Sequence, residues 1–202
     1  LGDVYKRQVE IDRRLGGGIP LKTVMLIEGQ DASGKSTFAQ QLIWGTLRDG
    51  NPATIYTTEQ NVHAFLRQME SLGQEVTDYF LMNDLQVFPI TSSAENEDPD
   101  LFFDQLSHHL QQQHSSKMIV IDSLTTFVSR AGGEKIQDFF NGLKDVCEKG
   151  QDIACTVHEN AFDEDFLLRV RSICDAYLRL QVTSSGTNLI KTMEVAKIRG
   201  AD

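Results

Sequence analysis

The sequence is poor in cysteine. It has three, Cys147, Cys155 and Cys174, an odd number with no C-x-x-C pair. That pattern excludes a disulfide-stapled fold and predicts reduced packing thiols in a cytoplasmic protein. Cations are also short: 19 lysines and arginines stand against 29 aspartates and glutamates, a net charge of −10. A chain this acidic has no general attraction for nucleic acid or anionic lipid, so either would need a local basic patch. No apolar run approaches the roughly 20 residues of a membrane-spanning helix. No charged start followed by an apolar stretch marks a secretion signal. What remains is ordinary for a globular chain, with 40% hydrophobic and 24% charged residues among 202. That length predicts one domain with a single continuous fold.

Short β-rich runs recur at Thr23–Ile27, Thr54–Thr57, Leu85–Ile90, Met118–Ile121, Ile153–Val157, Ala176–Val182 and Leu189–Ile198. Helical patterns separate the first five. They start at Lys35, near Asn61 and at Pro99, the last running to about His114, and a further one carries Ile136, Phe139, Phe140, Leu143, Val146 and Cys147. Those six follow i, i+3, i+4, i+7, i+10, i+11, one apolar stripe of a helix. Another helix is expected from about Asp163, with Cys174 on its inward face. Strand–helix alternation predicts an α/β fold with a mostly parallel sheet flanked by helices. Only Ser184–Asn188 separates the last two runs, so they are predicted to form a C-terminal antiparallel hairpin. The polar stretch Ser92–Asp100 reads as an exposed loop that caps the next helix. Residues 1–8 carry no matching pattern and read as a leader, which leaves 9–202 as the domain.

Gly29-Gln30-Asp31-Ala32-Ser33-Gly34-Lys35-Ser36 fits GxxxxGK[ST] between a predicted strand and a predicted helix. Glycines at both ends permit turns that a Cβ forbids. Backbone N–H groups then converge on phosphate at the positive end of a helix. The residues predicted to wrap ATP are Gly29 through Ser36 with Thr37, which would reach the α-phosphate; the side chains of Asp31 and Ser33 have no assigned role. Lys35 supplies the cation for the β- and γ-phosphates and the Ser36 hydroxyl a ligand for Mg²⁺. Asp122, at the tip of the apolar run Met118–Ile121, is the second candidate metal ligand, held through water. Ser123 follows it, so an Asp-Glu pair is absent here. Glu59 is then the candidate to activate water, or else an acid favoured near a helix N-terminus.

Ile11-Asp-Arg-Arg-Leu-Gly-Gly-Gly-Ile-Pro20, placed before this loop, resembles the opening of the KaiC-like branch of the RecA superfamily. Within that branch the chain is similar to the FlaH family of archaellum accessory ATP-binding proteins, from about Val9 to Ala201. The resemblance implies a RecA-like P-loop core binding ATP and Mg²⁺. It places Glu59 at the first of two adjacent family glutamates, with Gln60 departing from the second, which implies weak hydrolysis. It places His158 where the family senses the γ-phosphate, the alternative being a structural histidine. Lys197 and Arg199 match a K-x-R-G segment whose cations reach the neighbouring subunit's nucleotide. A self-assembled ring, taken as a hexamer, is implied, with the archaellum motor ATPase and membrane platform protein as partners. Family members continue with further strand beyond the equivalent of Asp202. Two other readings remain: a KaiC-like ATPase and autokinase, with Thr57, Thr58 or Ser123 as acceptor, and a DNA recombinase paralogue. Thr125–Lys135, where recombinases carry a DNA loop, has only Arg130 and Lys135 against Glu134. His63, His108, His109 and His114 show no metal spacing and read as surface or helix residues.

Overall fold

A computed structural model describes residues 21–90, 98–113, 115–185 and 188–199. The expected leader, the Ile11–Pro20 segment, most of the Ser92–Asp100 loop, His114 and Gly200 lie outside the described residues.

The chain runs through β1 (Val24–Gly29), α1 (Lys35–Arg48), β2 (Ala53–Thr57), α2 (Val62–Ser71), α3 (Thr77–Leu81) and β3 (Leu85–Pro89). It continues through α4 (Pro99–Gln112), β4 (Met118–Asp122), α5 (Thr125–Val128), α6 (Gly133–Glu148) and β5 (Asp152–His158). It ends with α7 (Glu164–Ile173), β6 (Ala176–Ser185) and β7 (Asn188–Ile198). The seven strands form one sheet in the order β3-β2-β4-β5-β1-β6-β7. All neighbours are parallel except β6 and β7, which pair antiparallel from Ala176↔Ile198 to Ser185↔Asn188. The predicted parallel core and closing hairpin are therefore both present.

Parallel strands covered on both faces must be apolar throughout, and β1 and β4 are buried at every position. Alternate side chains serve two separate cores. Val24 and Leu26 point to one side with α4, α6 and α7, while Met25 and Ile27 point to the other with α1 and α2. The α6 stripe is buried at all six predicted positions. Side-chain caps fix three helix starts: Asn61 Oδ1 accepts from Ala64 N at 2.9 Å, Asp98 Oδ1 from Asp100 N at 3.0 Å and Asp163 Oδ1 from Phe166 N at 2.7 Å.

The three thiols are buried. Burial pushes Cys147 and Cys174 up to about 12 and raises Cys155 as well, so they are inert packing groups. Cys174 differs from expectation in one respect: it caps the C-terminus of α7 instead of lying on its face. Helix α4 ends at Gln112, short of the expected His114. The short helices α3 and α5 were not expected, because five and four residues are too few to display a stripe.

Candidate phosphate-binding site

The sheet topology brings the C-terminal ends of β1, β2, β4 and β5 to one edge, and the functional side chains follow those ends. At β1 the chain leaves through Gly29. A Cβ there would stand 2.5 Å from the Leu180 carbonyl oxygen on β6 and 2.6 Å from Ser33 Oγ, so glycine is required by close packing. Gly34 takes φ 102° just before α1, a left-handed turn that turns the loop into the helix. Lys35, the next residue, curls back over the loop. Its Nζ donates to the Gly29 and Gln30 carbonyls, both at 2.8 Å. Burial holds Lys35 below the usual lysine pKa, and the carboxylates of Asp31, Asp122, Glu59 and Glu159 pull it back up.

Asp31, Ala32, Gly34, Lys35, Ser36 and Thr37 line one wall of a cavity of about 460 Å³. Glu59, Asp122, Ser123, Thr125, Thr126 and His158 line the facing walls, and Lys191 completes it. The structure thus brings together Lys35, Ser36, Asp122, Glu59 and His158, five residues from four separate stretches of sequence. Gly29 and Ser33 do not line the cavity, and Ser33 is buried. Gln30 turns its Oε1 toward Val182 N of β6, at 3.4 Å.

Hydroxyl groups hold the strand tips in register. Asp122 is buried, and its Oδ1 accepts from Thr156 Oγ1 at 2.6 Å. The Thr58 hydroxyl accepts from Ser123 N at 3.1 Å, and Thr125 Oγ1 accepts from His158 N at 2.8 Å and from Ser123 Oγ at 3.1 Å. Asp122 also lines the cavity, together with Ser36. One carboxylate and one hydroxyl form a hard-oxygen set that suits Mg²⁺ when phosphate oxygens and water complete its shell. Of the other candidate phosphate acceptors, Thr57 is buried, with its hydroxyl accepting from Glu59 N.

Four further side chains bear on the sequence reading. Asp31, assigned no role, places Oδ1 3.4 Å from His158 Nε2 at the tip of β5. Gln60, at the second glutamate position of the resemblance, donates to Gln68 of α2 and does not line the cavity. Lys197 and Arg199 lie at the opposite end of the sheet: Lys197 pairs with Tyr177 near the start of β6, whereas the loop follows the end of β1. Lys197 Nζ donates to the Arg171 and Cys174 carbonyls at 2.6 and 2.5 Å. Arg199 Nη2 donates to Ser172 O at 2.6 Å. Both cap the C-terminus of α7, where unpaired carbonyls favour cations. In the segment where the recombinase reading would need a basic DNA loop, Thr125–Val128 is helical and Lys135 pairs with Asp104.

Comparison with known proteins decides the family. A family model described as ATPase: KaiC matches residues 7–202. The chain belongs to the KaiC ATPase family. Curated relatives of this KaiC-family chain include the archaeal flagellar ATP-binding protein FlaH of Sulfolobus acidocaldarius. It is 28% identical over 194 residues, covering 95% of this chain and 84% of that protein. FlaH of Methanocaldococcus jannaschii is 25% identical over 190 residues, covering 93% and 81%. The crystal structure of flagellar accessory protein FlaH from M. jannaschii superposes with a TM-score of 0.86 at 24% identity, covering 95% of this chain and 85% of that one. A KaiC-like protein of Pyrococcus horikoshii gives 0.71 at 23% identity, over 91% and 83%. These two structures show the same KaiC-like RecA fold.

Lys191 and the Thr125–Thr126 wall escaped the sequence reading. Lys191 is distant from every motif, and only the β6–β7 register brings it over the loop. The hydroxyls around Ser123 follow Asp122 directly, and their clustering beyond a strand tip was the available signal.

Proposed function

We propose that this chain binds Mg·ATP and acts as a nucleotide-controlled assembly component of an archaellum motor. The observation that carries the reading is Lys35, poised over the Gly29–Ser36 loop and facing Asp122 and Glu59 across one cavity. In this reading Lys35 and the loop amides hold the β- and γ-phosphates, Thr37 reaches the α-phosphate, Ser36 and Asp122 hold Mg²⁺, and His158 senses the γ-phosphate. The FlaH names of the relatives supply the motor context, with the motor ATPase and membrane platform as partners. Among the described residues no helix is long and apolar enough to cross a membrane, which fits peripheral docking from the cytoplasmic side.

Slow hydrolysis follows from Gln60. An amide turned toward Gln68 cannot assist Glu59 in polarising water. Occupancy, more than turnover, would then set the assembly state, which requires ATP to favour the ring by a difference in binding energy. Lys197 and Arg199 are remote from their own loop, and in this reading they serve a neighbouring chain's phosphates in a ring. They would exchange the α7 carbonyls for those oxygens.

The test is titration with ATP, ADP and GTP coupled to mass measurement by light scattering. A heat of binding for ATP with Mg²⁺ and growth to a ring is expected. Absence of heat and an unchanged monomer would overturn the reading. Glu59→Gln is expected to lower phosphate release by about a hundredfold or more, the range of general-base contributions, while leaving ATP affinity within twofold. A persistent rate would move catalysis to another group.

A further inference from the structure

Lys191 is a cation at the site with no part in the binding scheme above. It stands on β7 opposite Val182, and Leu180 of β6 lies opposite Gly29, the last residue of β1. Lys191 is therefore one same-face step beyond the level at which the loop leaves the sheet. The pair just inside it, Leu180 and Met193, packs in the core that carries α1. Residues i and i+2 of a strand share a face, so Lys191 projects on the side of the phosphate-loop helix. Its side chain lines the same cavity as Lys35, Ser36 and Thr37.

Charge gives that position a task. Lys117, Lys135 and Lys144 pair with Asp152, Asp104 and Asp175. Among the described residues Lys191 has no such carboxylate partner, and its ammonium is exposed at the cavity. The walls already carry Asp31, Glu59 and Asp122 against Lys35. A polyphosphate entering there meets three carboxylates and needs more positive charge than Lys35 and one divalent ion supply. In the sheet order Asp122 and Glu59 come from strands on one side of β1, and Lys191 comes from the other.

We propose that Lys191 is a second, same-chain phosphate-binding cation, which closes on the nucleotide's polyphosphate from the hairpin side. It needs no neighbouring subunit, unlike the role assigned to Lys197 and Arg199. The inference rests on nucleotide binding by residues 29–37, and its test separates the two.

Calorimetry on the full chain compares wild type with Lys191→Ala, Lys191→Arg and Lys35→Ala, using Mg·ATP and inorganic tripolyphosphate as probes. Tripolyphosphate lacks base and ribose, so it isolates the charge contact. Lys191→Ala is expected to bind both probes about tenfold more weakly, about 1.4 kcal/mol, and Lys191→Arg to stay within about twofold of wild type. The residue is exposed on an edge strand, so the ligand-free melting temperature serves as the folding control. An alanine variant with wild-type affinity for ATP would overturn the proposal. So would one that loses ATP but keeps tripolyphosphate, since the contact would then be to base or sugar. A wild type that binds neither probe would overturn the nucleotide reading itself, and this inference with it.

Discussion

Lys35→Ala is expected to weaken Mg·ATP binding by at least about a hundredfold in calorimetry, with the ligand-free fold intact. A charge-assisted contact to two phosphates contributes roughly twice what a neutral hydrogen bond does. The loss leaves Asp31, Glu59 and Asp122 facing an anion without their nearest cation. The ligand-free protein loses little, because the two carbonyls that Lys35 satisfies have other donors. Gly29 O also accepts from Glu159 N at 3.1 Å, and Gln30 O from Ser33 N at 3.2 Å. Burial gives the same residue a pH signature. Its pKa is lowered before ligand arrives, so the charged form that phosphate requires is lost at a lower pH than for an exposed lysine. ATP affinity is therefore expected to fall on the alkaline side, earlier than ordinary lysine titration would predict, and Lys35→Ala is expected to flatten that limb. An alanine variant with wild-type affinity would refute the loop assignment.

Phe103→Ala carries the largest expected cost in stability. Phe103 is fully buried on α4, its ring 4.8 Å from Phe139 of α6 and 5.5 Å from Phe102, which stacks on Phe127 at 3.5 Å. Removing a ring from such a cluster costs the transfer energy and leaves a cavity, about 3–5 kcal/mol in all. At about 2–4 °C per kcal/mol for a domain of this size, melting should fall by roughly 10 °C. Phe103 lies in the core on the face opposite α1. The folded fraction should therefore bind nucleotide with unchanged affinity. A loss below about 1 kcal/mol in urea denaturation would show that the α4–α6 contact contributes less than its burial indicates.

The parts legible in the sequence are those written locally. Each strand announced itself by an apolar run, and the α6 stripe by its spacing, because burial on a sheet or a helix face has a fixed period. The phosphate loop is equally local, since its glycines, lysine and serine are adjacent in the chain. The legible part of the site ends where register begins. Asp31 meeting His158 depends on β1 and β5 being neighbours, and Gln60 meeting Gln68 depends on how the chain enters α2. Lys191 reaches the cavity only because β7 doubles back along β6. Lys197 and Arg199 show the same lesson from the other direction: a two-residue spacing puts both cations on one strand, but pairing with β6 decides that they cap α7. α3 and α5 were invisible because neither completes enough turns to show a face.

The sheet also acts as a bulkhead. One compartment holds the helix that follows the loop, and the other holds α4, α6 and α7, with no side chain shared between the two clusters among the described residues. Perturbations in separate compartments add with little interaction energy when they share no partner. Away from α5, whose Thr125 and Thr126 line the cavity while Phe127 packs in the aromatic core, that compartment can be filled or trimmed to tune thermal tolerance with little effect on ligand affinity. Selection acting on a host's growth temperature and selection acting on the nucleotide site have separate material to work with.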